Sequence, residues 1–241
     1  TNKYYYGKEC SGQNKKYNRK DFKMNVPIVS VIIPVYNQEK WIGRCLRSII
    51  NQTLNRSAFE IIVINDGSTD STGNALELFK EEIIIINNNN NKGLPYSLNQ
   101  GINRSRANHV VRVDADDYVN ENFLFLLHEF MENNKYMDAV ACDYFLIDAQ
   151  ENIIERMDCM KNPIGCGIMF KSSHLVEIGL YDVEFRLHEE RELRHRFEKK
   201  YKIHRLELPL YRYRRHENNI TNNSDSSNYH KKKLKFKHGI S

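Results

Sequence analysis

The run Ile28 to Val35 constrains this chain more than any other feature: eight residues, apolar except for Ser30 and rich in β-branched side chains. It lacks the polar–apolar alternation of a half-solvated strand and suits one buried on both faces, as in a parallel sheet. Trp41, Ile42, Cys45, Leu46, Ile49 and Ile50 then fall on one helical face, predicting a helix from about Gln38 to Gln52. The alternation continues. Phe59 to Asn65 reads as a second strand, Asp66-Gly67-Ser68 as a turn and Thr69 to Lys80 as a helix. Glu82 to Asn87 reads as a third strand, Leu94 to Arg106 as a helix, and His109 to Val113 as a short strand ending at Asp114-Ala115-Asp116-Asp117. Strands alternating with helices at this spacing predict an α/β fold, a mainly parallel central sheet with helices on both faces.

After residue 117 the pattern changes. Helices are expected at Asn120 to Met131, near Ser172 to Ile178 and at Glu189 to Tyr201, with strands at Asp138 to Ile147, Ile153 to Arg156 and Ile203 to Leu208. The globular part, 26–222, thus divides into a nucleotide-binding half, 26–117, and a mixed acceptor-side half, 118–222. Residues 1–25 are Lys- and Asn-rich without periodicity and have no apolar signal-peptide core, so they read as a linker or the remnant of an upstream element. Residues 223–241 read as a basic tail.

Charge is informative once it is divided along the chain. The net +5 of the 241 residues comes from the ends: seven Lys/Arg against two acids in 1–23, and five Lys against none in 230–241. The body is therefore mildly acidic, which argues against a nucleic-acid partner, whose binding would need positive charge on a face of the fold itself. No apolar run approaches the roughly 20 residues that span a bilayer. The five cysteines, Cys10, Cys45, Cys142, Cys159 and Cys166, are odd in number and form no CxxC pair. Free thiols in a reducing cytoplasm are expected.

In open α/β sheets ligands sit beyond the carboxyl ends of the strands. Three such ends here carry polar or acidic residues: Tyr36-Asn37, Asp66-Gly67-Ser68 and Asp114-Ala115-Asp116-Asp117. Two carboxylates two residues apart can share a hard divalent cation, which prefers oxygen ligands and bridges diphosphate oxygens. Each motif alone has a structural reading, as a turn or a helix cap. The Asn87 to Asn91 run reads as a solvated loop. The first strand is not followed by the GxGxxG of a nicotinamide-binding enzyme or by the Gly-rich basic loop of a nucleotidyltransferase.

Taken in order, Val29-Ser30-Val31-Ile32-Ile33-Pro34-Val35-Tyr36-Asn37, Asp66 to Asp70, Asn91-Lys92-Gly93 and Asp114 to Asp117 resemble family 2 of the glycosyltransferases, which have the GT-A fold and use nucleotide-sugar donors. The resemblance runs from about Pro27 to Thr221. It implies that Pro34, Val35, Tyr36 and Glu39 surround the nucleoside, that Asp66 meets the base, and that Lys92 and Gly93 flank the nucleotide. Asp114, Ala115 and Asp116 would match the DxD motif holding ribose, diphosphate and Mn2+ or Mg2+, with Asp116 the more direct ligand. Gly179-Leu180-Tyr181-Asp182-Val183-Glu184-Phe185 resembles the stretch that leads to the family's Glu-Asp pair, here Glu189-Glu190, which implies Glu190 as catalytic base. His216 lies in a segment resembling the one after the family's last strand, where it could touch metal or diphosphate.

The resemblance implies a metal-dependent, inverting transferase, with UDP-sugar as the expected donor and a glycan or lipid-linked hydroxyl as acceptor, in polysaccharide synthesis. Glu in place of Asp at 190 keeps a second expectation open, a catalytically silent nucleotide- or glycan-binding module. The tail His230 to Lys237 mixes five Lys with Leu234 and Phe236 and could rest on an anionic membrane, placing a cytoplasmic protein at the inner membrane face.

Overall fold

The computed structural model describes residues 26–216 and 237–238. The expected linker at 1–25 and nearly all of the expected tail lie outside the described residues, as does Cys10. Strands β1 (Val29–Val35), β2 (Phe59–Asn65), β3 (Ile84–Asn87) and β4 (His109–Arg112) pair in parallel in the order β3-β2-β1-β4. Every residue of β1 is buried. That is the condition its uninterrupted apolar sequence predicts, each fully buried aliphatic side chain contributing about 1.5–3 kcal/mol. Helix α1 (Ile42–Ile50) buries Ile42, Cys45, Leu46 and Ile49. Helix α2 (Thr72–Glu77) packs beside it, and α3 (Leu94–Arg104) lies on β1 and β2. Gly101 of α3 sits so close to the sheet that a Cβ there would come within 2.5 Å of Ile32 and 2.8 Å of Ile64.

The second half extends the sheet as β4-β8-β6-β9-β5, with β5 (Tyr118–Val119), β6 (Ala139–Ile147), β8 (Ile168–Lys171) and β9 (Ile203–Arg214); β7 (Ile153–Met157) pairs with β6. Here β8 is antiparallel to both neighbours while β6 and β9 run parallel. The fold is thus the expected α/β architecture, with a parallel first half and a mixed second half. Helices α4 (Phe123–Glu132), α5 (Ser172–Glu177) and α6 (Glu189–Phe197) complete it.

The differences from sequence expectation have physical causes. The helix expected from Gln38 begins at Ile42, because the amides of Gln38 and Glu39 are taken by Thr72 Oγ1 and Asp70 Oδ2 at 2.9 and 3.1 Å. Likewise α2 starts at Thr72 because Thr69, Asp70 and Ser71 are spent on capping contacts. Strand β9 runs six residues beyond the expected Leu208, since its register with β6 slips on either side of Asp143 and the bulge accommodates Pro209. Strands β5 and β8 were not expected. Among the described residues all four cysteines are buried and free, and no helix is long and apolar enough to cross a membrane. Lys237, one of the five tail lysines, turns onto the protein and pairs with Asp182 and the buried Glu192.

Candidate active site

Asp66, at the end of β2, is the hub of the first rim. It is 4% exposed. Its Oδ1 accepts from Asn88 Nδ2 at 2.7 Å and from the Lys92 amide at 3.0 Å, and its Oδ2 from the Gly93 amide at 2.8 Å. A carboxylate has about four lone-pair sites, so one acceptor site on Oδ2 is left for a ligand N–H. The Asn run expected to be plain solvated loop therefore supplies a structural donor. Gly67 is required here: its φ is +73°, and a Cβ would lie 2.5 Å from the Asn90 backbone.

At the end of β1, Pro34 and Val35 are buried while Tyr36 emerges 43% exposed. Asn37 adopts a left-handed backbone, φ 52°, and its Oδ1 accepts the Thr69 amide at 2.8 Å. Glu39 Oε2 accepts the Ser71 amide at 2.7 Å. The ends of β1 and β2 are thus clasped together beneath Tyr36, and Lys92 stands exposed on the facing loop.

The acidic turn after β4 splits into three different environments. Asp114 is gripped by Arg112 at both oxygens, Nε to Oδ1 at 2.6 Å and Nη2 to Oδ2 at 3.0 Å. Asp116 Oδ2 lies 2.9 Å from His216 Nε2. Asp117 is structural: buried, it accepts from Tyr211 Oη and the Arg214 amide, each at 2.7 Å. Burial, then the Asp116 and Asp114 charges, push its carboxyl well above the ordinary range. Ala115 is buried between them. Strand β9 fixes this turn from behind. The Asp114 amide donates to Tyr211 Oη at 3.1 Å, and the fully buried Arg214 donates through Nε to the Asp116 carbonyl at 2.8 Å while its guanidinium stacks 4.1 Å over Trp41 and bonds Glu151.

Helix α6 meets this rim through Arg112, whose Nη1 donates to the buried Glu189 at 2.9 Å. Burial raises the Glu189 carboxyl and the Glu190 charge adds to this, against the pull of Arg112. Glu190 is half-buried. Burial alone would raise it, but the hydrogen bond from His188, its own backbone amide and Arg112 outweigh that and hold it below the usual carboxylate range. Gly165 presses on both groups: a Cβ there would lie 2.8 Å from Glu190 Cβ and 2.9 Å from Arg112 Nη1. Glu190 also lines a small pocket with Ile164, Gly165, Tyr181, Arg191 and Arg194.

Arg112 thus joins the Asp114 end of β4 to α6, whereas the pocket that Glu190 lines includes none of Asp66, Asp114, Asp116 and His216. Asp116 and His216 present an oxygen and a ring nitrogen that a divalent cation can share, and their chemistry fits one; Asp114, with one Arg112 N–H on each oxygen, keeps lone pairs of its own. Sequence reasoning missed Arg112, Tyr211 and Arg214. The signal for Arg112 was a cation in a buried strand two residues before Asp114, hence on the same strand face.

Residues 30–172 match the model of the family "Glycosyl transferase family 2". Among curated relatives, the poly(ribitol-phosphate) beta-glucosyltransferase of Bacillus spizizenii is 35% identical over 111 residues, 44% of this chain and 18% of that protein. The matches to the first curated relatives span only 18% to 35% of their lengths. Two solved structures share the fold, each with a TM-score of 0.71. They are S. aureus TarS 1-349 in complex with UDP-GlcNAc, at 20% identity over 81% of this chain and 61% of that one, and the Pyrobaculum calidifontis mannosyltransferase PcManGT with GDP-Man and Mn2+, at 18% identity over 89% and 65%. With the family match covering more than half of its length and the GT-A-type fold in place, the chain belongs to the family 2 glycosyltransferases.

Proposed function

We propose that this enzyme transfers a sugar from a nucleoside-diphosphate donor, with uridine as the favoured base, to a hydroxyl of a glycan or lipid-linked acceptor in polysaccharide assembly. The reaction is divalent-cation-dependent and inverts the anomeric carbon. One observation carries the reading: Arg112 bridges Asp114 at the strand rim and Glu189 in the first turn of α6, which sets the helix that bears Glu190 beside the acidic turn. The solved relatives with UDP-GlcNAc and with GDP-Man and Mn2+ support a nucleotide-sugar and a cation, and the poly(ribitol-phosphate) in the name of the Bacillus relative supports a polymer acceptor.

Each residue then has a defined task. Tyr36 and the remaining acceptor site of Asp66 receive the nucleoside, with Pro34, Val35 and Glu39 shaping that wall and Lys92 and Gly93 flanking the nucleotide. Asp116 and His216 would hold Mn2+ or Mg2+, which when bound neutralises charge on the diphosphate. Asp114, fixed by Arg112, accepts from the ribose. Glu190 takes the acceptor hydroxyl's proton as that oxygen bonds to the anomeric carbon; the bond to the diphosphate breaks on the opposite face and its electron pair leaves with the diphosphate. A panel of nucleotide sugars incubated with the chain and Mn2+ tests this. Turnover of one donor, abolished by chelator, is expected, and no turnover of any donor would overturn it.

A further inference from the structure

At the opposite end of β4 from the acidic turn lies a second group of ligands that the transfer reaction does not use. His109 opens β4, and His128 and Glu132 sit on α4 four residues apart, one turn along the same helix face. One ligand atom from each of the three lies within 4.8 Å of the other two. His109 is 6% exposed and His128 9%, and their rings meet edge-on with centroids 5.5 Å apart. Both Nδ1 atoms are buried with no hydrogen-bond partner. A buried polar atom left unpaired is costly, and each of the two histidines of this cluster carries one.

We propose that His109, His128 and Glu132 form a transition-metal site, suited to Zn2+, that is separate from the donor site and pins α4 to the His109 end of β4. Two imidazoles and one carboxylate with a water in the fourth position make a familiar tetrahedral set. Zn–N bonds near 2.05 Å require ligand atoms about 3.4 Å apart, and the three now lie within 4.8 Å of one another. Glu132 pairs with Lys135, whose side chain is 74% exposed and free to swing into solvent. Along the strand, His109 and Asp114 are five residues apart, about 16 Å at 3.3 Å per residue, so the two metal sites do not share ligands.

The test is titration of the metal-stripped, untagged chain carrying Asp116→Ala, without nucleotide, using Co2+ as a coloured substitute for Zn2+. One equivalent giving the d–d spectrum of a four-coordinate ion is expected, with affinity lowered at least about 10-fold by Glu132→Gln and by His128→Ala. Zn2+ at about 100 times its Kd should raise the melting temperature by about 5–10 °C. Should His128→Ala fail to fold, Glu132→Gln, at a half-buried helix end, decides alone. No Co2+ bound at millimolar metal, or undiminished binding in Glu132→Gln, would overturn the proposal.

Discussion

Two adjacent glutamates at the start of α6 do different work because they point about 100° apart on the helix. Glu189 is buried against Arg112 and acts by holding that guanidinium toward Asp114, whereas Glu190 is half-buried and lines a pocket with Gly165, Tyr181 and Arg194. Losing a general base costs about 100- to 10,000-fold, so Glu190→Gln is expected to lower kcat by that factor with donor Kd nearly unchanged. Glu189→Gln should instead weaken donor binding and stability together. Single-turnover rates and donor titrations on both variants separate the two. Since Glu190 is held below the usual carboxylate range, it remains ionised as pH falls, and the acid limb of kcat/KM should lie below about 4.3, the ordinary Glu value. That limb should vanish in the Gln variant. Gly165→Ala should be as informative as either, because a methyl 2.8 Å from Glu190 and 2.9 Å from Arg112 must displace one of them. Overpacking of this kind costs about 1–3 kcal/mol, and a displacement of about 1 Å at the base can cost 100-fold in rate. A fully active Gly165→Ala would show that neither group needs its present position.

At the scale of elements, the second half of the sheet is tied together by Asp143 of β6. Its carboxylate accepts from Arg205 of β9 at 2.8 Å, Arg156 of β7 at 3.1 Å and the Cys159 amide at 3.2 Å. Burial pushes this carboxyl up, but Arg205, the Cys159 amide and Arg156 outweigh it and hold it at about 2. A depressed folded-state pKa contributes stability that is complete above the unfolded value near 3.9 and is lost as pH falls through about 2. Urea unfolding should therefore show stability falling from pH 4 to pH 2, with a shallower fall in Asp143→Asn. At neutral pH Asp143→Ala should cost about 2 kcal/mol, less than the 3–5 of a fully buried broken pair because both arginines reach solvent. The elements themselves were unequally legible in the sequence. β1 and β2 could be read because their apolar runs are unbroken and their ends carry turn chemistry. β9 could be read only to Leu208, because Pro209 looks like a terminator until a bulge is known to absorb it. β5, two residues long, and β8, four residues between Gly167 and α5, are too short to leave a pattern. At the site, Asp66, Asp116 and Glu190 stood out by motif. Arg112 did not, since an arginine closing a short strand resembles an ordinary solvated end, and Asn88 was hidden in a run of identical residues.

The molecule joins a parallel first half to a mixed second half whose last strand, β9, reaches back through Tyr211 and Arg214 to brace the acidic turn. The turn after β4 already carries the carboxylates of Asp114 and Asp116, and a diphosphate adds further negative charge. Donor binding should therefore depend on a divalent cation held by Asp116 with His216 beside it. The most direct test is equilibrium titration of the chain and of Asp116→Ala with the donor, with Mn2+ and with excess chelator. The account predicts that chelator and Asp116→Ala each remove most of the donor affinity, and that adding Mn2+ back restores it in the parent alone. Undiminished donor binding in chelator, or an Asp116→Ala chain that binds as the parent does, would contradict it.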